Sequence, residues 1–246
     1  MILATQEPFR STDNTIWLLD ARKVAPPVVL ALNEVLSDSS RAVRARYVRD
    51  AARNRFTVSR ALLRHAVAQF ARCDVEDVII TERPESAPRV EVTDHAAVHI
   101  SLSHSGSWIA CATSAHPVGL DVECTNTSRD LTAMSEWFYT PDEHQWVVRH
   151  GDPSRIEAFY RLWTGKESVF KLACSVGWHG ALSDVHFAVT DNTLGAPYPI
   201  QGIDVHAAFQ WIRDTVACSV ATRFERHRVD DVSNFRVEYV DSGVFE

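Results

Sequence analysis

The sequence predicts an α+β protein built as a pseudo-twofold repeat of two similar α+β halves, a pseudo-dimer within one chain. Three observations predict it. The chain has 246 residues, room for two packed halves of roughly 100–120 residues each. Displacing it by 107 positions lays Asp77-Val78 on Asp184-Val185, Val98-His99 on Val205-His206 and Ala110-Cys111 on Ala217-Cys218. The order helix, strand, loop, strand, strand is shared without a gap over about 65 positions of that displacement. The predicted halves are residues 1–116 and 117–246, and the cleft between such halves is a natural ligand site.

Taken in order, residues 1–36 read as short strands and turns, including Thr15 to Leu19. Ser37 to Cys73 reads as helical, with Ser37 or Ser39 able to cap it and Phe56, Leu62, Leu63, Val67 and Phe70 recurring at helical spacing. Val75 to Thr81 reads as a strand and the Pro-containing segment 83–88 as a loop. Ala97 to Leu102, Trp108 to Thr113 and Val118 to Glu123 read as strands. Segments 130–150 and 154–174 read as helices, with Pro141 and Pro153 as start signals. Segments 184–190, 203–213, 215–224 and 234–240 read as mostly β.

Composition excludes several classes. Hydrophobic residues are 46 % and charged residues 23 %, a globular balance. The longest apolar runs fall far below the ~20 residues of a membrane span. The N-terminus lacks a basic stretch followed by an apolar core, which predicts no signal peptide. Five widely spaced cysteines fit neither a disulfide framework nor a zinc motif, which predicts a reduced, cytoplasmic setting. A net charge of −7 argues against general nucleic-acid binding. Against that background, eight arginines stand between Arg41 and His65 with one acid, Asp50. This is either a solvated helix face or a docking face for a polyanion.

Three motifs carry chemistry. In Gly119-Leu120-Asp121-Val122-Glu123, a strand points both carboxylates to one face. Adjacent anions repel unless a cation or proton lies between them, and hard oxygen ligands suit magnesium, which keeps waters and binds substrate phosphates. In Trp163-Thr-Gly-Lys166-Glu167-Ser-Val-Phe-Lys171, Glu167 and Lys171 are helical i,i+4 neighbours. Ser101-Leu-Ser103-His104-Ser105-Gly106 reads as a polar turn able to wrap a pyrophosphate with side-chain and backbone donors. Each has a bland counterpart: a solvated strand, a surface ion pair worth a few tenths of a kcal/mol, and a hairpin turn.

Together, Gly-Leu-Asp-Val-Glu, then Trp-x-x-Lys-Glu-Ser-x-x-Lys about forty residues on, resemble the paired motif of the phosphopantetheinyl transferase superfamily. The preceding Ser-x-Ser-His-Ser-Gly-x-Trp resembles the companion motif of its surfactin-synthetase-activating (Sfp-type) branch. The resemblance covers roughly residues 40–225. It implies the phosphopantetheinyl transferase fold and a monomeric pseudo-dimer. The implied enzyme moves 4'-phosphopantetheine from coenzyme A to a serine of an apo acyl or peptidyl carrier protein and releases adenosine 3',5'-bisphosphate. It implies Asp121, Glu123 and Glu167 as ligands of Mg2+ (or Mn2+) against the pyrophosphate, with Glu167, Lys171 and Asp121 catalytic. It implies Ser103, His104, Lys166 and Lys171 as contacts to the coenzyme A phosphates. A basic contact to the 3'-phosphate matches only loosely: Arg89 is the candidate, with Arg83-Pro84 an alternative, and Arg44 and Arg41 are further candidates backed by Arg55 and Arg60. The implied partner is a carrier protein with an acidic helix, with no nucleic acid and no membrane. Alternatives are a magnesium-dependent phosphodiesterase or nuclease built on the same acids, and a non-catalytic nucleotide-binding module.

Overall fold

A computed structural model describes residues 14–84, 86–93, 95, 97–190, 193–212, 215–223 and 235–245. Its first half runs β1 (Thr15–Asp20), α1 (Pro26–Glu34), α2 (Asp38–Arg44), α3 (Asp50–Ala71), β2 (Val78–Arg83), β3 (Ser86–Val92), β4 (His99–Ser105) and β5 (Trp108–Ser114). The second runs β6 (Val118–Cys124), α4 (Leu131–Phe138), α5 (Pro141–Arg149), α6 (Ser154–Ser175), β7 (Phe187–Thr190), β8 (Thr193–Pro197), β9 (Val205–Ile212) and β10 (Val216–Arg223), before β11 (Arg236–Tyr239). The same plan occurs twice: a strand, three helices, then two hairpins. A four-stranded sheet has the order β11-β1-β5-β4 and a three-stranded sheet the order β6-β10-β9, and β2-β3 and β7-β8 form two-stranded hairpins.

The core explains the layering. Ile16, Leu18, Ala110 and Ala112 of the first sheet pack against Leu120, Val122, Cys218 and Val220 of the second. On its other face the first sheet buries Trp17, Leu19, Ile109 and Cys111 beneath Leu62, Ala66 and Val67 of α3. The second sheet buries Ala217 and Ala221 beneath Leu162, Val169 and Leu172 of α6. Both faces of β1 and β5 are covered, so these strands read as continuous apolar runs. No helix among the described residues is long and apolar enough to cross a membrane.

The 107-residue displacement holds for the 3-10 turns Val75–Asp77 and Leu182–Asp184. It holds in β4 and β9, where Ile100 and Leu102 face α3 as Ala207 and Phe209 face α6. It fails in the last strand pair. Cys111 faces its helix, whereas Cys218 lies between the sheets. The cause is one residue of turn: Ser105 pairs with Trp108 in the first hairpin and Ile212 with Val216 in the second. A one-residue slip flips every side chain of a strand, so β5 and β10 correspond at 108.

Other expectations are corrected. Residues 26–34 are helical, started by Pro26-Pro27. Ser37 to Cys73 is two helices; between them the Arg53 guanidinium takes up the freed Tyr47 carbonyl at 2.8 Å. Segment 130–150 also divides, because Thr140 and Glu143 form a capping box that starts α5 at Pro141. Within the expected loop 83–88, β2 ends at Arg83 and β3 begins at Ser86, and residue 85 lies outside the described residues. At the C-terminal end β11, from the residues assigned to the second half, pairs in parallel with β1 of the first, and Val240 N–H donates to the Leu18 carbonyl. The expected strand over 234–240 is seen as Arg236–Tyr239, and residue 234 lies outside the described residues.

Gly119 sets how closely α6 lies on β6. A Cβ there would stand 1.9 Å from the Ser168 carbonyl oxygen and 2.6 Å from Leu172 N. Both are backbone atoms and cannot rotate away. Gly119→Ala is expected to lift α6, costing about 2 kcal/mol or more and lowering the melting temperature by about 4–8 °C. Thermal unfolding checks this.

Candidate functional site

Three elements build the site. Strand β6 turns Leu120 and Val122 into the inter-sheet core, so Asp121 and Glu123 point to the α6 side. On α6, Lys171 reaches across to donate to Asp121 Oδ1 at 2.7 Å and to the Leu120 carbonyl at 3.0 Å. Strand β4, the edge of the first sheet, runs beside β6, the edge of the second. Edge strands carry unpaired N–H groups that need partners. Here they find serine hydroxyls: Leu120 N–H donates to Ser101 at 2.9 Å, Val122 N–H to Ser103 at 3.3 Å and Cys124 N–H to Ser105 at 3.0 Å. Ser103 in turn donates to Asp121 Oδ1 at 2.7 Å, and Ser105 to Glu123 Oε2 at 2.6 Å.

The expected phosphate-wrapping turn is therefore mostly strand. Ser101 to Ser105 lie in β4, and only Gly106 and Ser107 turn, with Gly106 at φ +57°. The Ser103 hydroxyl is buried and committed to Asp121 and Val122, so Ser103 meets a carboxylate where the sequence suggested a phosphate. Ser101 and Ser105, read from sequence only as hydroxyls of a pyrophosphate-wrapping turn, instead join the two sheet edges. The alternation at 101, 103 and 105 is the signal that marks the serines.

Asp121 is 4 % exposed, and its Oδ2 is buried without a hydrogen-bond partner. Burial holds the Glu123 carboxyl above its ordinary range. The Asp121 charge adds to this, while hydrogen bonds from Ser105 and Trp163 oppose it. Burial likewise raises Glu167; Lys171 pulls it down, and Asp121 and Glu123 push it up. The three acids thus share one electrostatic environment. Among the described residues they do not close into a three-ligand cluster, since Asp121 and Glu123 are each drawn aside by hydrogen-bond donors of the chain. An orphaned buried carboxylate oxygen and two acids that resist ionisation are the donor set a hard divalent cation fits.

His104 faces away from the serines. Partial burial lowers its pKa, and the neighbouring charges of Arg55 and Lys171 lower it further. Arg55, a reserve candidate from sequence, is an arginine of the basic helix whose charge acts on His104.

Lys166 does not join the site. It is 2 % exposed, donates to the Val185 carbonyl and pairs with Glu143 Oε2 at 2.9 Å. Its neighbour Glu167 faces the carboxylates, and one residue of helix turns the side chain by about 100°. Several of the other candidate arginines have local partners. Arg41 pairs with Asp38, Arg44 donates to the Thr57 hydroxyl at 2.9 Å, and Arg60 pairs with Glu82. Exposed Arg89 pairs with Glu91 at 2.6 Å on the β2–β3 hairpin.

Comparison with known proteins follows the same residues. The family model described as the 4'-phosphopantetheinyl transferase superfamily matches residues 117–232, which contain Asp121, Glu123, Glu167 and Lys171. The 4'-phosphopantetheinyl transferase gsp of Aneurinibacillus migulanus is 30 % identical over 51 % of this chain and 51 % of its own. The 4'-phosphopantetheinyl transferase psf-1 of Bacillus pumilus is 31 % identical over 53 % and 54 %. The 4'-phosphopantetheinyl transferase Sfp of Bacillus subtilis is 26 % identical over 45 % and 47 %. The chain spans about half the length of these curated relatives. The site, its motif spacing and these matches agree in one likeness: across residues 117–232 the chain is similar to the 4'-phosphopantetheinyl transferase superfamily.

Proposed function

We propose that the protein transfers 4'-phosphopantetheine from coenzyme A to a serine hydroxyl of an apo acyl or peptidyl carrier protein, leaving adenosine 3',5'-bisphosphate. The observation that carries this reading is the convergence of Asp121, Glu123, Glu167 and Lys171, with Asp121 Oδ2 buried and unpartnered. Such a constellation suits phosphoryl transfer, which asks a protein mainly for positioning and charge.

Asp121, Glu123 and Glu167 would hold magnesium, which when bound neutralises charge on the phosphoryl oxygens. The residues themselves supply the rest. A serine hydroxyl is a weak nucleophile and needs a base. Glu167, raised by burial, has the greater proton affinity a general base needs, and it accepts the hydroxyl proton. Lys171, 28 % exposed, offers its ammonium to the departing phosphate oxygen. His104 and Arg55 line the approach and hold the anionic substrate. Arg89, Arg44 and Arg41 remain candidates for the 3'-phosphate and for the acidic helix of the carrier. The two halves, divided near 116/117 apart from β11, act as one monomeric unit.

The test is to weigh an apo carrier protein after incubation with the protein, magnesium and coenzyme A. A phosphopantetheine mass gain abolished by chelator is expected. No gain across several carriers, with cleavage of nucleic acid, would favour the nuclease. The metal has an independent readout. At magnesium about 100-fold above its dissociation constant, stability is expected to rise by about 2.7 kcal/mol, or about 5–10 °C in melting temperature. Asp121→Asn should remove most of that rise.

A further inference from the structure

We propose that Ser105 is a positioning residue for Glu123, and that through the serine row the geometry of the carboxylates depends on how the two sheets dock. This rests on the transfer reading above.

A hydroxyl has one proton and two acceptor lone pairs. At Ser105 an acceptor position is taken by Cys124 N–H at 3.0 Å, and the proton goes to Glu123 Oε2 at 2.6 Å. At Ser103 the same division occurs between Val122 N–H and Asp121 Oδ1. Each hydroxyl is therefore a fixed link between a backbone amide of one sheet edge and a carboxylate on that edge. The three rungs share a constant sequence offset of 19 between hydroxyl and amide, so β4 and β6 run parallel and the row acts in register. Serine is suited here because its short side chain reaches an edge amide that no backbone carbonyl of β4 meets.

The row contains its own control. Ser101 makes the same amide rung at 2.9 Å, but the β6 residue before that amide is Gly119, which has no side chain. Ser101 therefore joins the sheets without touching a carboxylate. Ser105 does both: its proton goes to Glu123 Oε2 at 2.6 Å while it holds Cys124 N–H. Glu123 on the second sheet is thus oriented by a hydroxyl of the first sheet. Without Ser105 it would lose that donor and the orientation it gives.

The experiment compares Ser105→Ala, Ser105→Thr, Ser105→Cys and Ser101→Ala, reading kcat and KM for coenzyme A and the midpoint of magnesium-dependent thermal stabilisation. Loss of a partner that orients a ligand costs about 10–100-fold in metal affinity or activity. Ser105→Ala is expected to lower kcat and weaken the magnesium midpoint by about that factor, with KM little changed. Ser105→Thr keeps the hydroxyl and should restore both. Ser105→Cys keeps the size with a weak donor and should fall between, which decides the matter if Ser105→Ala does not fold. Ser101→Ala should lose stability while keeping the wild-type magnesium midpoint. Equal effects of Ser101→Ala and Ser105→Ala on kcat and midpoint would overturn the proposal and leave the row purely structural. So would a wild-type midpoint in Ser105→Cys, or no magnesium effect in any protein. Absence of transfer by wild type, with the midpoints ordered as expected, would instead remove the transfer reading and keep the positioning role.

Discussion

Asp121→Asn is expected to cut phosphopantetheine transfer by at least about 100-fold while the fold is retained. The expectation follows from how many bonds meet at this carboxylate. Its Oδ1 accepts from both Ser103 and Lys171, and its Oδ2 is buried with nothing to accept from. An amide keeps the shape and one acceptor but removes the charge, so the loss isolates electrostatics from packing. Loss of one preorganised electrostatic contact typically costs about 10²–10³ in kcat. Asp121 also anchors Lys171, which in the proposed transfer lies on the leaving-group side, so two proposed roles fail together. The partner side follows the same logic: Glu167→Ala removes the base and is expected to be similarly impaired. Rates with purified, folded variants, confirmed by circular dichroism, provide the check. Near-normal transfer by either variant would refute the assignment.

The acids of the candidate site were legible in the sequence for a simple reason. A strand's period of two places Asp121 and Glu123 on one face, and a helix's i,i+4 spacing pairs Glu167 with Lys171. Both rules act within one element. What was not legible depends on how elements meet. How closely α6 lies on the second sheet is set at Gly119, on another element, and the way α6 is turned there points Lys171 to Asp121 and Lys166 to Glu143. The serine row needed the knowledge that β4 and β6 are neighbouring edges of different sheets, which no local pattern carries. The repeat was legible as an order of elements, and its displacement slipped by one where a turn gained a residue. The arginine cluster looked uniform because composition does not show which guanidiniums are consumed by Asp38, Thr57 or Glu82.

Lys166 offers the sharpest separation between a family motif residue and its physical role. A phosphate contact would predict that Lys166→Met raises KM for coenzyme A and leaves stability alone. The structure predicts the reverse. The ammonium is buried, and burial lowers its pKa while Glu143 pulls it back up. Glu143 is 0 % exposed and also accepts from Phe187 N–H and Thr140 N–H, both at 2.8 Å, so the pair ties α5, α6 and β7 together. Removing one member of a buried pair leaves the other charge uncompensated, at a cost of about 3–5 kcal/mol. For a chain of this size that corresponds to a fall of about 6–20 °C in melting temperature. KM for coenzyme A and kcat of the folded fraction should stay near wild type, because Glu167 and Lys171 point the other way. A stable Lys166→Met protein with a raised KM would return Lys166 to the phosphates. An unstable one with normal kinetics makes this lysine the peg that fixes the rotation of α6, and with it the placement of the two α6 residues that face Asp121.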